Sequence, residues 1–202
     1  MPNSRIERDF NTAQYEAHAS EYLESNADGE IGGRTPEQRV TMLLRFLQKK
    51  SRIFEIGAGG GLDTDALHLA GYNVTPTDIA KPFLERLVTK AYDAQLFDAK
   101  RNQVPAGYDA VYANAVFVHF SPEETAKFLT DAANQLQGQK IIFMSVLKGE
   151  GSERSARGRS FERDFHYYQL TQLEELVTAA GYTLLHSEDV EGKWLQVIAQ
   201  AN

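Results

Sequence analysis

Short apolar runs alternate with amphipathic stretches along most of the chain. Ile53 to Ile56, Asn73 to Thr77, Ala94 to Phe97, Asp109 to Ala113 and Lys140 to Val146 read as strands. Helices are predicted between and before them. Pro36 opens one with Val40, Leu43, Leu44 and Leu47 on one face, and a second follows the first strand to about Ala70. A third, after Pro82, turns Phe83, Leu84, Leu87 and Val88 inward, and a fourth spans Pro122 to Leu136. Strands linked by helices predict a parallel sheet covered on both faces. The two ends depart from this rhythm. Arg5 to Leu23 is polar with aromatics at Phe10, Tyr15 and Tyr22, a helix outside the sheet, and residues 26–33 form a mobile connection. Toward the carboxyl end, Gly149 to Ser160 reads as a Gly, Ser and Arg-rich loop, and Thr171 caps a helix that Gly181 stops. Tyr182 to Ser187 and Trp194 to Ala199 are separated by so few residues that they predict an antiparallel hairpin.

The first strand runs into Glu55-Ile56-Gly57-Ala58-Gly59-Gly60-Gly61. Glycines at the carboxyl end of a strand let the backbone approach a ligand, and the following helix offers unpaired N–H groups. Asp78 ends the next predicted strand, roughly 20 residues on, where a carboxylate accepts bonds from both ribose hydroxyls. A dinucleotide fingerprint would place its third glycine at position 62, where this chain has Leu62. Glu55 beside the glycines disfavours a pyrophosphate and suits a cationic group. These features point to a nucleotide-type cofactor carrying an ammonium.

On these residues the chain resembles the class I S-adenosylmethionine-dependent methyltransferases: Glu55 to Gly61 matches their first motif and Thr77-Asp78-Ile79 their acidic second motif. The resemblance extends over nearly the whole chain. It implies an α/β fold with a Rossmann-like, mostly parallel seven-stranded sheet, helices on both faces and an antiparallel C-terminal strand. It places Gly57, Ala58, Gly59 and Gly61 against the methionine part of S-adenosylmethionine, and Asp78 with Ile79 at the ribose. Asp98 falls at the adenine amino group between Phe97 and Ala99, and Asn114 and Ala115 line the cofactor where substrate approaches. The implied reaction is in-line displacement at the sulfonium methyl group, with S-adenosylhomocysteine as product and positioning carrying most of the rate. The Asn or Asp-Pro-Pro-Tyr tetrad of enzymes that methylate amino groups of nucleobases and glutamine is absent, since Asn114 is followed by Ala115-Val116-Phe117.

Composition narrows the partners. At 202 residues, 42% of them hydrophobic, one domain is expected: residues 1–35 as a lid helix and loop, and 36–202 as the α/β core, with 148–170 a substrate loop. A net charge of -7 gives no basic footprint for nucleic acid, so a small-molecule acceptor is expected. The absence of cysteine excludes a disulfide framework, a cysteine nucleophile and an iron–sulfur cluster. No apolar run approaches a membrane span and the amino terminus lacks a signal core, which sets a cytoplasmic expectation. The five histidines show no ligand spacing, so no metal site is expected.

The remaining candidates concern the acceptor. His119 is a candidate general base, set against packing at the mouth of the site. Tyr15 is a candidate lid residue near the methionine end, and Arg34 a candidate partner for the cofactor carboxylate. Residues 148–168 concentrate Arg154, Arg157, Arg159, Arg163, His166, Tyr167 and Tyr168; Arg159, His166, Tyr167 and, further on, Trp194 are the expected substrate contacts. Two alternatives to a methyltransferase stand beside it: a non-catalytic S-adenosylmethionine-binding sensor or subunit, and an NAD-dependent oxidoreductase.

Overall fold

The computed structural model describes residues 9–31 and 33–202. Among these described residues, nine strands form one sheet. β1 (Arg52–Ile56) pairs in parallel with β2 (Asn73–Asp78) and with β4 (Ala110–Ala113), and β2 carries the short β3 (Gln95–Leu96). β4 pairs with β5 (Ile141–Lys148), whose other edge takes β9 (Trp194–Ala201) antiparallel; β8 (Tyr182–Val190) lies beyond β9. These seven strands are the expected sheet, with the antiparallel strand inserted beside β5.

Two more strands correct the expected loop after β5. Ser152–Ser155 (β6) pairs antiparallel with Arg163–Tyr168 (β7), and β7 joins the end of β5 through Leu147 and Lys148. β6 is almost wholly exposed and carries no apolar alternation, so only pairing with β7 makes it a strand.

Burial follows the strand period of two. Ile53, Tyr112, Phe143 and Ile198 face helices α3 (Pro36–Leu43) and α4 (Leu62–Leu69), while Phe54, Val111, Met144 and Val197 face α6 (Pro122–Gln135) and α7 (Leu170–Ala179). Capping boxes start α3 and α6: Thr35 with Gln38, and Ser121 with Glu124, each followed by proline. α7 begins after Gln169, so Thr171 lies within its first turn rather than capping it. The faces predicted for α3 and α5 (Lys81–Thr89) are drawn too wide, because Leu44 and Val88 are exposed while Leu43, Phe83 and Leu87 are buried.

The expected helix from Arg5 to Leu23 is broken. Its first four residues lie outside the described residues; the rest form α1 (Phe10–Ala17) and α2 (Ala19–Ser25), with His18 between them at φ -119°. Tyr15, Tyr22 and Leu23 pack with Ala19, Ala80 and Phe83, which lays these helices over the carboxyl ends of β1 and β2.

Candidate active site

At the end of β1 the chain turns sharply. Gly57, Gly59 and Gly61 all have positive φ, and a Cβ on Gly57 would meet Val116 Cγ2 at 2.6 Å, so the turn accepts no side chain there. Ala58 N–H donates to Thr77 O at 2.9 Å, and Gly59 N–H donates to Asp78 Oδ2 at 2.9 Å. Asp78 Oδ1 accepts from Ala80 N–H, also at 2.9 Å. Burial raises Asp78 to about 6 against the pull of these backbone donors.

Glu55 is not placed to meet a ligand. Its side chain shares the strand face of Ile53, is 2% exposed, and accepts from Thr64 Oγ1 at 2.6 Å. Burial first, then Asp63, Asp78 and Asp65, push it up to about 8, so at neutral pH it is a protonated brace between β1 and α4. The charged group facing the turn is Asp63, at the start of α4. It takes Arg39 Nη2 at 2.6 Å and Nε at 3.0 Å through Oδ1, and Asn114 Nδ2 at 3.1 Å through Oδ2. Arg39 is 1% exposed; it also donates to Tyr112 Oη at 3.2 Å and to the carbonyls of Gly29, Ile31 and Arg34, tying the lid loop down.

Three chambers surround these groups. One of about 180 Å³ runs along Gly57 to Gly60, with Arg39, Asp63 and Asn114 opposite. A second, about 80 Å³ and mostly apolar, shares Gly57 and is walled by Ile79, Phe97, Asp98, Ala99 and Val116. A third, about 150 Å³, holds Ala115, Arg157, Arg159, Arg163 and Trp194. Tyr15 and His119 border the second and third chambers, and Tyr22 the first and third.

Glycines on a turn that admits no Cβ, a buried carboxylate behind them and an apolar slot beside them fit an adenosine cofactor with an amino-acid tail. A family profile described as a methyltransferase domain matches residues 29–187. The chain belongs to this methyltransferase family. No curated protein sequence matches it. Among solved structures, the CcbJ methyltransferase of Streptomyces caelestis superposes with a TM-score of 0.75 at 17% identity, over 96% of this chain and 99% of that one. The DhpI complex with S-adenosylhomocysteine gives 0.72 at 17% identity, covering 95% of each chain. The 1,6-didemethyltoxoflavin-N1-methyltransferase of Burkholderia thailandensis, solved with 1,6-didemethyltoxoflavin and S-adenosylhomocysteine, gives 0.68 at 19% identity over 96% of this chain and 92% of that one. At these identities the likeness is one of fold: the class I methyltransferase sheet, as the two sequence motifs implied.

In this methyltransferase domain most cofactor-side expectations converge. Gly57, Ala58, Gly59 and Asn114 line the first chamber, Ile79, Asp98 and Ala99 the second, and Tyr15 stands between the second and third. Arg34 instead pairs with Glu188 at 2.7 Å, and the arginines lining the first chamber are Arg39 and Arg86. The substrate candidates divide. Arg159 and Trp194 line the third chamber, whereas His166 lies on the face of β7 opposite Arg163 and Phe165. Tyr167 shares their face but sits beyond the chamber, its hydroxyl donating to Glu153 and accepting from Arg157 Nη1 at 2.9 Å.

His119 is a poor base. Its Nδ1 lies 2.7 Å from the carbonyl of Asp164, an acceptor only, so Nδ1 carries the proton and Nε2 accepts from the Tyr15 hydroxyl at 2.9 Å. Burial pushes its pKa down to about 4, far below the range of an effective base at neutral pH. The histidine orients Tyr15 and fastens β7, the packing role weighed against catalysis. Among the described residues no cluster of histidine, aspartate and glutamate has the arrangement of a metal site, and no helix is long and apolar enough to cross a membrane.

Proposed function

We propose that the protein is an S-adenosylmethionine-dependent methyltransferase acting on a small-molecule acceptor. One observation carries the reading: the Gly57 to Gly60 turn lines two adjoining chambers, the second mostly apolar, and is tied through Gly59 N–H to buried Asp78, on the sheet of the methyltransferase family. The cofactor supplies an activated methyl group on a sulfonium centre. The remaining work belongs to the chain. Asp78 accepts from the ribose hydroxyls, and the apolar slot with Asp98 at its rim takes the base. Asp63, already aimed at the turn, accepts from the amino group of the methionine tail. Ala115, held at φ 56° by Ser145 Oγ accepting its N–H at 2.8 Å, shapes the floor toward the third chamber. Tyr15 and Tyr22 exclude water above it. With His119 neutral and hydrogen-bonded, no strong base faces the acceptor, and the rate rests on holding nucleophile and methyl group at contact distance. That effect contributes up to roughly 7–11 kcal/mol in favourable intramolecular systems.

Calorimetric titration with S-adenosylmethionine, S-adenosylhomocysteine and NADH tests the cofactor, and S-adenosylhomocysteine release across a metabolite panel tests the transfer. Binding of the first two alone, with release stimulated by an acceptor, is expected. Binding of NADH alone would overturn the reading, and tight cofactor binding with no release on any acceptor would favour a sensor.

A further inference from the structure

The third chamber is unusual for its charge. In a chain of net charge -7, it gathers Arg157, Arg159 and Arg163 against one lining carboxylate, Glu30. Other arginines of the fold have found carboxylates: Arg34 takes Glu188, Arg39 takes Asp63 and Arg154 takes Asp164. Among the described residues, none of the chamber's three does. Arg157 donates to the Tyr167 hydroxyl, and Arg159 to Asn26 Oδ1 at 2.9 Å and Ser25 Oγ. Arg163 is the most enclosed, 4% exposed, with Nη2 donating to the Ala156 carbonyl at 2.9 Å and Nε without a partner.

A buried guanidinium lacking a counter-charge is costly, and a fold that keeps one needs a compensating interaction. The rings of Phe161, Phe165 and Tyr15, with centroids 4.7, 5.0 and 5.8 Å from the Arg163 carbon, supply part of it. Ring faces do not saturate a fork of N–H donors; the two oxygens of an oxyanion do. The apolar part of the lining comes from Leu147 and Trp194, with Phe165 packed against the arginines themselves. Tyr15 separates this chamber from the cofactor side, which puts it where an acceptor would enter.

We infer that the acceptor carries an oxyanion, a carboxylate or a phosphate-type group, seated on Arg163 with Arg157 and Arg159 beside it. Its apolar body rests on Trp194. This rests on the methyltransferase reading and names the substrate class of that site. A chamber of about 150 Å³ in an acidic protein suits a small molecule rather than a nucleic-acid backbone.

Trp194 is the only tryptophan of the chain, so its fluorescence reports on this chamber. The full-length protein, with and without saturating S-adenosylhomocysteine, is titrated with benzoate, phenylphosphonate, benzamide and a short single-stranded oligonucleotide. Saturable quenching by benzoate or phenylphosphonate, at least about tenfold tighter than by benzamide, is expected, with the stronger of the two identifying the anion. Arg163→Gln is expected to weaken the anions about tenfold or more and to leave benzamide unchanged. Because Arg163 is buried, a double variant of the outer arginines, Arg157→Gln with Arg159→Gln, serves as an independent arm and must weaken the anions in the same sense. Equal affinity for benzamide and benzoate, anion binding indifferent to every arginine variant, or preference for the oligonucleotide overturns the inference. Parallel titration with S-adenosylhomocysteine separates the two readings. If it binds and the anions do not, this inference alone falls; if the anions bind and it does not, the methyltransferase reading falls and the anion site stands.

Discussion

Asp78→Asn separates what the buried carboxylate does for the fold from what it does for a ligand. Asp78 rises to about 6 in the folded protein, above its ordinary value of 3.8, chiefly through burial. The folded state therefore holds the proton more tightly than the unfolded chain between those two values. This contribution favours folding below pH 3.8 and is lost as pH rises through about 6. The gap corresponds to roughly 3 kcal/mol of destabilisation at neutral pH. Asparagine removes the charge but sets an amide N–H₂ against one of the two backbone donors, Gly59 N–H or Ala80 N–H, at a cost of about 1–3 kcal/mol. The opposing terms leave a net gain of at most about 2 kcal/mol, so Tm at pH 7 should rise by no more than about 8 °C, at about 2–4 °C per kcal/mol for a chain of this size.

Binding should behave differently. Hydrogen bonds to a charged acceptor contribute about 1.5–3 kcal/mol each, and asparagine keeps one acceptor oxygen of two. S-adenosylhomocysteine affinity should then fall about 30-fold or more by calorimetry. In the wild type, affinity at pH 5 should be about tenfold weaker than at pH 7, as the carboxylate protonates through about 6; in the variant it should be flat. An asparagine variant that binds as tightly as the wild type, or that keeps its pH dependence, refutes the assignment of Asp78 to the ribose.

Gly57→Ala places a Cβ 2.6 Å from Val116 Cγ2 on a backbone at φ 67° and should lower stability by about 2–4 kcal/mol in urea unfolding. Adding Val116→Ala should relieve the overlap but not the backbone term; no recovery would show that the contact is not the cause. Arg39→Met leaves Asp63, 13% exposed at its side chain, without its cation and frees the carbonyls of Gly29, Ile31 and Arg34. A loss of about 3–5 kcal/mol is expected, partly restored by Asp63→Asn in the same chain, and a single variant as stable as the wild type would contradict it.

What was legible in the chain was local. The glycine turn and Asp78 are read from one short stretch and the strand after it, and β1, β4 and β5 announce themselves because both faces are buried. Arg39 was overlooked although a signal existed. Pro36, Arg39, Val40 and Leu43 follow helical spacing on one buried stripe, and a cation on such a stripe requires a buried partner, here Asp63. Glu55 misled for a related reason. Its place beside the glycines suggested a ligand contact, but strand alternation turns its side chain to the face of Ile53, under α4. The third chamber was only partly legible, because it is assembled from α1 and α2, the end of β5, the β6–β7 hairpin and the start of β9, segments brought together by the sheet order.

That assembly also ties the two halves of the site to each other. Asn11 on α1 holds Asp164 of β7 by two bonds, donating to its carbonyl at 3.0 Å and accepting its N–H at 2.7 Å. Glu21 on α2 accepts from Ser160 N–H at 2.8 Å and from its hydroxyl, and Arg159 reaches across to Asn26. The helices beside the first two chambers and the hairpin that presents the arginines are therefore one clasp. The Glu21–Ser160 bonds of this clasp are exposed and the Asn11–Asp164 and Arg159–Asn26 bonds part-buried, each contributing about 1 kcal/mol, while the sheet beneath is held by buried apolar contacts. Within this clasp Tyr15 and Tyr22 pack on Phe83, with ring centroids 6.1 and 5.4 Å away. An acceptor bound to Arg159 and Arg163 would brace the same clasp from the other side, so occupancy of the third chamber and closure over the cofactor should favour each other.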